Sequence, residues 1–249
     1  MNATIELLRN HRSIRKYKDT DVPEEHVREI VLTAQAAPTS SNIQAYSVVA
    51  VRDAEKRRRF AELSGNRQIE ESPVFLVWCA DLNKIRTAVR LHEDTELRQN
   101  VELFLLATID AALAAQNATV AAESLGYGTV YVGGIRNDPQ TATDLLELPQ
   151  LVYPVFGMCV GVPNQEPDIR PRLPLAAVYH QDVYREEGLA REIEAYDETM
   201  RHYYATRKGG GKGGEEETIW SREMLRRFEG ERHRDHLHGF LLSRGFELK

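Results

Sequence analysis

The stretch VELFLLATIDAALAAQNATVAAESLG, residues 101–126, limits what this chain can fold into more than any other. Its leucine and alanine content favours helix, and Gly126 stands where a helix stop belongs. Between 101 and 125 the polar residues are Glu102, Thr108, Asp110, Gln116, Asn117, Thr119, Glu123 and Ser124. A helix with so little polar surface is buried nearly all round. A single sheet covers one side of it. The other side needs further helices or a second subunit, and the second subunit is the expectation.

The sheet is legible on either side of that helix. YSVVAVRD (46–53), VFLVWCAD (74–81), GTVYVGGI (128–135) and YPVFGMCVGVP (153–163) are strand candidates. They are apolar on both faces instead of alternating, which predicts a sheet covered on both sides. DVPEEHVREIVLTAQAAP (21–38) reads as an amphipathic helix. Pro23 suits its first turn, Glu24 and Glu25 favour its positive end, and Val27, Ile30, Val31 and Ala34 share a face. Beyond about residue 185 the pattern is charged and helical, interrupted by RKGGGKGGEEE (207–217), a glycine-rich loop. Apolar anchors resume after it, so the tail is expected to dock.

Composition narrows the classes of function. The chain has 249 residues, enough for one large core, with 32 Lys+Arg against 38 Asp+Glu and a formal net charge of −6. That balance argues against non-specific binding to nucleic acid or to an anionic membrane. Cys79 and Cys159 each lie in an apolar run, too few for a disulfide framework, so a reducing compartment is expected. The N-terminus lacks the basic lead and apolar core of a signal peptide, and no stretch of eighteen uncharged apolar residues predicts a membrane span. The expectation is a cytoplasmic protein.

Common catalytic signatures are missing: no G-x-G-x-x-G after a strand, no P-loop, no G-x-S-x-G, no H-E-x-x-H. His233, His236 and His238 cluster in HRDHLH, but among charged neighbours and without a cysteine, which reads as a solvated helix face and not a metal site. What remains is anion chemistry. In HRSIRKY (11–17), one helical turn would bring Arg12 and Arg15 to the same side, with Ser13 between them. In DIRPRLP (168–174), Arg170 and Arg172 alternate in a proline-stiffened stretch and so face the same way. Guanidinium forks suit phosphate because they donate two parallel hydrogen bonds. The turn TSSN (39–42) offers small hydroxyls, and YVGG (131–134) ends a strand with glycines that let a flat ligand approach. Together these describe a nucleotide-like ligand and do not specify which one.

At these residues the sequence resembles the FMN-dependent nitroreductase family, in the branch of oxygen-insensitive NADPH nitroreductases and NADPH–flavin oxidoreductases. The likeness runs in order through TIELLRNHRSIRKY, TSSNIQAYS, DAALAAQNATVAAESLGYGTVYVGGIRN, VFGMCVG and RPRLPLAAVYH. The resemblance implies an α+β fold of three α-β-α layers, with a mixed sheet between helices, in an intertwined homodimer with FMN at the interface. It implies a core over 1–185 and an extension over 186–249 that packs on the partner subunit. The activity implied is NAD(P)H-dependent two-electron, ping-pong reduction of nitroaromatics, quinones or flavins. No side chain then serves as nucleophile or general base. Its alternatives are a flavin reductase supplying a monooxygenase and, from another class, a non-catalytic nucleotide-binding module.

Carried over residue by residue, the resemblance gives His11, Arg12, Ser13 and Arg15 to the FMN phosphate and ribityl oxygens, and Arg170 and Arg172 to the phosphate and pyrimidine side. Thr39, Ser40 and Ser41 take one edge of the ring, and Tyr131, Gly133 and Gly134 the other rim. Three departures stand out. Where the family has a glutamine after GN, Arg67 precedes Gln68 here, so either faces the flavin. Asn42 replaces a bulkier apolar residue and makes the substrate side more polar. Arg207 and Lys212 match the cations that pair with the NADPH 2′-phosphate, but the glutamates at 215–217 repel it. NADPH is the expected donor, with NADH as the alternative.

Overall fold

The computed structural model describes residues 2–97, 99–207, 219–229 and 234–249. Its strands are β1 (Tyr46–Val51), β2 (Val74–Asp81), β3 (Gly128–Val132) and β4 (Val152–Gly161). Its helices are α1 (Ala3–Arg9), α2 (Glu24–Gln35), α3 (Ala54–Ser64), α4 (Gln68–Glu71), α5 (Asn83–Arg90) and α6 (Val101–Ser124). They continue with α7 (Pro139–Leu145), α8 (Leu189–Thr206), α9 (Trp220–Glu229) and α10 (His236–Ser243).

The strands form one sheet in the order β1-β2-β4-β3, antiparallel at every junction. The sheet expected to be mixed is therefore antiparallel across its named strands. Among the described residues its parallel component is one bridge between Ser13 and Thr129 on the free edge of β3. Alternation along β2 splits the core in two. Val74, Leu76, Trp78 and Ala80 face the cluster that holds α2, α6 and α10, and Phe75, Val77 and Cys79 face the one that holds α3, α4 and α7. Every residue of β2 is buried, as a strand covered on both faces requires. The result is three layers, helices on each side of the sheet.

Helix α6 ends as its sequence indicates. Gly126 donates to Glu123 O at 3.0 Å and Tyr127 to Ala122 O at 3.0 Å, a paired C-terminal closure with Gly126 at φ +84°. The helix is long and apolar enough to cross a membrane. Ten of its residues, including Asp110 and seven alanines, are nevertheless buried, and Leu106 with the alanines packs in the same cluster as the sheet and α2.

The chain divides into two compact units: 1–166 together with 234–249, and 167–233. Within the chain, residues 234–249 of the expected 186–249 extension group with the first unit, where Phe240, Leu241 and Phe246 join the cluster of α6, and Leu151 N donates to Arg244 O at 2.8 Å. Their apolar anchors fill the end of the same core. In the second unit, α8 and α9 are joined by Asp197, a buried carboxylate accepting from Ser221 N at 2.9 Å and Ser221 Oγ at 2.5 Å. The Tyr196 and Trp220 rings meet edge to face beside them.

Candidate functional site

Residues 11–17 are not a helical turn. After α1 the backbone meets the free edge of β3 and then the residues that follow β4: Ile14 N donates to Thr129 O at 2.8 Å, and Lys18 N to Val162 O at 2.9 Å. Isolated bridges form at Ser13–Thr129 and Tyr17–Pro163. Edge pairing satisfies these backbone groups without the unfavourable nucleus of a one-turn helix. Buried Ile14 and Tyr17 anchor the segment, Tyr17 also donating its hydroxyl to Ile14 O at 2.7 Å. The approach is close: a Cβ on Gly128 would stand 2.5 Å from Ile14 Cγ1.

This course puts the polar side chains on the outside. His11 Nδ1 lies 2.6 Å from Glu123 Oε1, and Thr129 Oγ1 donates to the same oxygen at 3.1 Å. Arg12 donates to Glu166 Oε1 at 3.4 Å, and Arg15 only reaches the Ser13 carbonyl at 3.5 Å. Both guanidinium forks keep donors for another anion.

The turn containing Thr39, Ser40, Ser41 and Asn42 is wound against preference. Ser41, Asn42 and Gln44 have φ of +48°, +59° and +54°, a region unfavourable for residues with a side chain. It is held from beneath by Asp110 of α6, which is 1 % exposed. That carboxylate accepts from Ser40 N at 3.4 Å and Ala45 N at 3.0 Å, one at each end of the turn. Between the turn and α6 lies a cleft of about 390 Å³ bordered by Thr39, Ser40, Leu105, Ile109 and Leu113. Asp110 did not emerge as a site residue from sequence. The available signal was an acid in the middle of an apolar helix.

Tyr131 is partly exposed; its hydroxyl accepts from Thr119 Oγ1 at 2.9 Å and reaches Gln116 Oε1 at 3.5 Å, and burial raises its phenol pKa. Gln116, Thr119 and Glu123 thus form a polar stripe on α6, three and four residues apart, facing β3 and His11. Gly133 and Gly134 open a short 3₁₀ turn after β3. Gly134 has a reason for being small within the chain itself: a Cβ there would stand 2.6 Å from Asn66 Nδ2 and 2.7 Å from Ser64 O. Asn66 in turn accepts from Gln68 Nε2 at 3.0 Å, so Gln68 belongs to the Gly134 corner. Arg67 is exposed and pairs with Glu71 at 3.4 Å. The structure thus groups His11 and Ser13 with β3 and the end of α6, Gln68 with Gly134, and Thr39–Asn42 with Asp110. Arg67 joins none of them.

Arg170 and Arg172 lie in the second unit, both exposed. Arg172 donates to Arg170 O at 2.9 Å, and Tyr196 OH fixes Pro171 O at 2.9 Å. Arg207 closes α8 with its guanidinium 5.0 Å from the centre of the Tyr204 ring. Lys212 and His233 lie outside the described residues. His236 bonds the Arg136 carbonyl at 3.0 Å.

The model of the nitroreductase family matches residues 8–162, and that of the family's C-terminal domain matches 170–249. The chain belongs to the nitroreductase family. This nitroreductase is 41% identical to the FMN reductase (NADPH) of Bacillus subtilis over 251 residues, 99% of either chain. It is 40% identical to the Cr(VI) reductase of a Pseudomonas strain over 245 residues, 98% of this chain and 99% of the relative. Among solved structures, NfrA2 of B. megaterium superposes with a TM-score of 0.94 at 36% identity over 100% of both chains.

Proposed function

We propose that this nitroreductase is an FMN-dependent NAD(P)H oxidoreductase that reduces flat, electron-poor acceptors such as nitroaromatics, quinones or free flavins. The observation that carries the reading is the edge segment 11–15, whose Arg12 and Arg15 keep unpaired donors beside a buried, well-anchored backbone. That donor set fits the phosphate dianion of FMN, with His11 and Ser13 available to ribityl hydroxyls. The Asp110-held turn supplies Thr39, Ser40 and Ser41 to the ring edge, and Tyr131, Gly133, Gly134 and Gln68 the opposite rim. Gln68 takes precedence over Arg67 because it sits in the Gly134 corner. By the family resemblance Arg170 and Arg172 are the further candidates for the phosphate and pyrimidine side.

Bound there, FMN would supply the hydride-accepting and two-electron-donating chemistry between NAD(P)H and an acceptor. The chain binds and orients. Cationic and backbone N–H donors favour negative charge near the ring, and no side chain acts as nucleophile or general base. Asn42 borders the acceptor side. NADPH is the preferred donor, supported by the 41% identical NADPH reductase and by Arg207 with Lys212 as candidates for its 2′-phosphate. A second reading is a flavin reductase that releases reduced FMN to a partner monooxygenase; the same relative's name supports its flavin-reductase part. The assembly is a homodimer, supported by the open apolar face of α6, where Leu105, Ile109 and Leu113 are 46%, 54% and 41% exposed.

The visible spectrum of the purified protein before and after anaerobic NADPH tests the central reading. Flavin bands that bleach near one equivalent of NADPH are expected. A protein that remains colourless after FMN is added would overturn it, and bound flavin with no NAD(P)H oxidation would favour the non-catalytic module. Turnover of free FMN against that of a nitroaromatic separates the two enzymatic readings.

A further inference from the structure

Glu123 is an odd residue for its position. It stands in the last turn of α6, where the helix dipole disfavours a carboxylate, and its side chain is only 14% exposed. Burying a carboxylate there needs compensation by donors. Two are present: His11 Nδ1 at 2.6 Å and the Thr129 hydroxyl at 3.1 Å, both on Oε1. Thr129 is itself fully buried, and it is the residue of β3 that pairs with Ser13. One carboxylate oxygen therefore ties together α6, β3 and the start of the 11–15 segment.

We infer that Glu123 is a positioning residue for cofactor binding: it fixes the ring of His11 so that Nε2 is the nitrogen offered to FMN. The inference rests on the proposed cofactor reading. A carboxylate can only accept, so the hydrogen of the pair lies on Nδ1 of His11. Which ring nitrogen is free is set by the bond the other makes. With Nδ1 committed, Nε2 faces away from Glu123, and ring rotation would break the 2.6 Å bond. Glu123 need not touch the ligand to control its affinity. It does so through His11.

The test is a double-mutant cycle on the holoprotein, with FMN release on dilution read by recovery of flavin fluorescence. Glu123→Ala is expected to weaken FMN binding roughly tenfold, the size of one lost charge-assisted hydrogen bond, and to have no further effect in a His11→Ala background. Glu123→Gln keeps an acceptor oxygen and should restore most of the affinity. Equal losses with and without His11 would overturn the inference, because Glu123 would then act on the fold and not through the ring. So would an unchanged affinity in Glu123→Ala when His11→Ala alone weakens binding. If His11→Ala leaves FMN binding intact, the assignment of His11 to the cofactor fails. The positioning claim is then read separately from nitrogen chemical shifts of the His11 ring. Those shifts should report hydrogen on Nδ1 in the parent protein and in Glu123→Gln, and exchange between both nitrogens in Glu123→Ala. A tautomer unaffected by Glu123→Ala would sink it.

Discussion

Cys159 and Tyr17 are buried on the side of the sheet that backs the 11–17 segment. Burial pushes the Cys159 thiol up to about 12, and moves the Tyr17 phenol and the Cys79 thiol upward as well. In each case the folded chain holds a proton that the unfolded chain releases sooner. Stability from these groups is complete below the ordinary thiol range and falls as pH rises towards the folded values. Among these three groups the two thiols dominate at pH 10, because an unfolded phenol is only half ionised there, and each thiol is expected to lower stability by about 2 kcal/mol relative to pH 8. Urea midpoints at pH 8 and 10 measure this. The drop should shrink in a Cys79→Ala/Cys159→Ala variant, and an unchanged drop would assign it elsewhere. At this scale the cations of HRSIRKY were conspicuous in the sequence, but the residues that fix its path, Ile14 and Tyr17, were not. Their spacing of three reads as one face of a helical turn and not of a strand, and their partners at Thr129 and Pro163 are distant in sequence.

Among elements, the seating of the 11–17 segment on β3 depends on Gly128. A methyl group there meets Ile14 at 2.5 Å, and overpacking of this kind costs roughly 1–3 kcal/mol. Because the strain falls on the segment and not on β3, Gly128→Ala is expected to lose flavin before it loses structure. The flavin-to-protein absorbance ratio after purification should fall several-fold while the far-ultraviolet dichroism is retained. Gly239→Ala, where a Cβ meets nothing within 4 Å, is the control. The strands and α6 were legible because a doubly covered sheet and a buried helix both write themselves as unbroken apolar runs. Asp110 and Glu123 looked like mere interruptions of such a run. Their roles depend on Ser40, Ala45 and His11, at separations of 65 to 112 residues, which no local pattern encodes. The same holds for Gly134, read as room for a ligand but fitted closely to Ser64 and Asn66.

For the whole molecule, the open face of α6 is where a second copy is expected. Ile109→Glu places a charge in the middle of that face and should convert a dimer into a monomer by sedimentation velocity, with little change in the spectrum of secondary structure. A parent protein that sediments as a monomer at micromolar concentration would remove the dimer proposal. A different consequence follows from the return of residues 234–249 to the first unit. Phe240, Leu241 and Phe246 complete a core that begins with Val22 and Val27, and the entire second unit lies between them in the chain. During synthesis from the N-terminus, the ribosome must deliver the whole of 167–233 before the first unit receives its last apolar side chains. The sheet can form early, but its helical layer closes late, after the intervening unit has emerged.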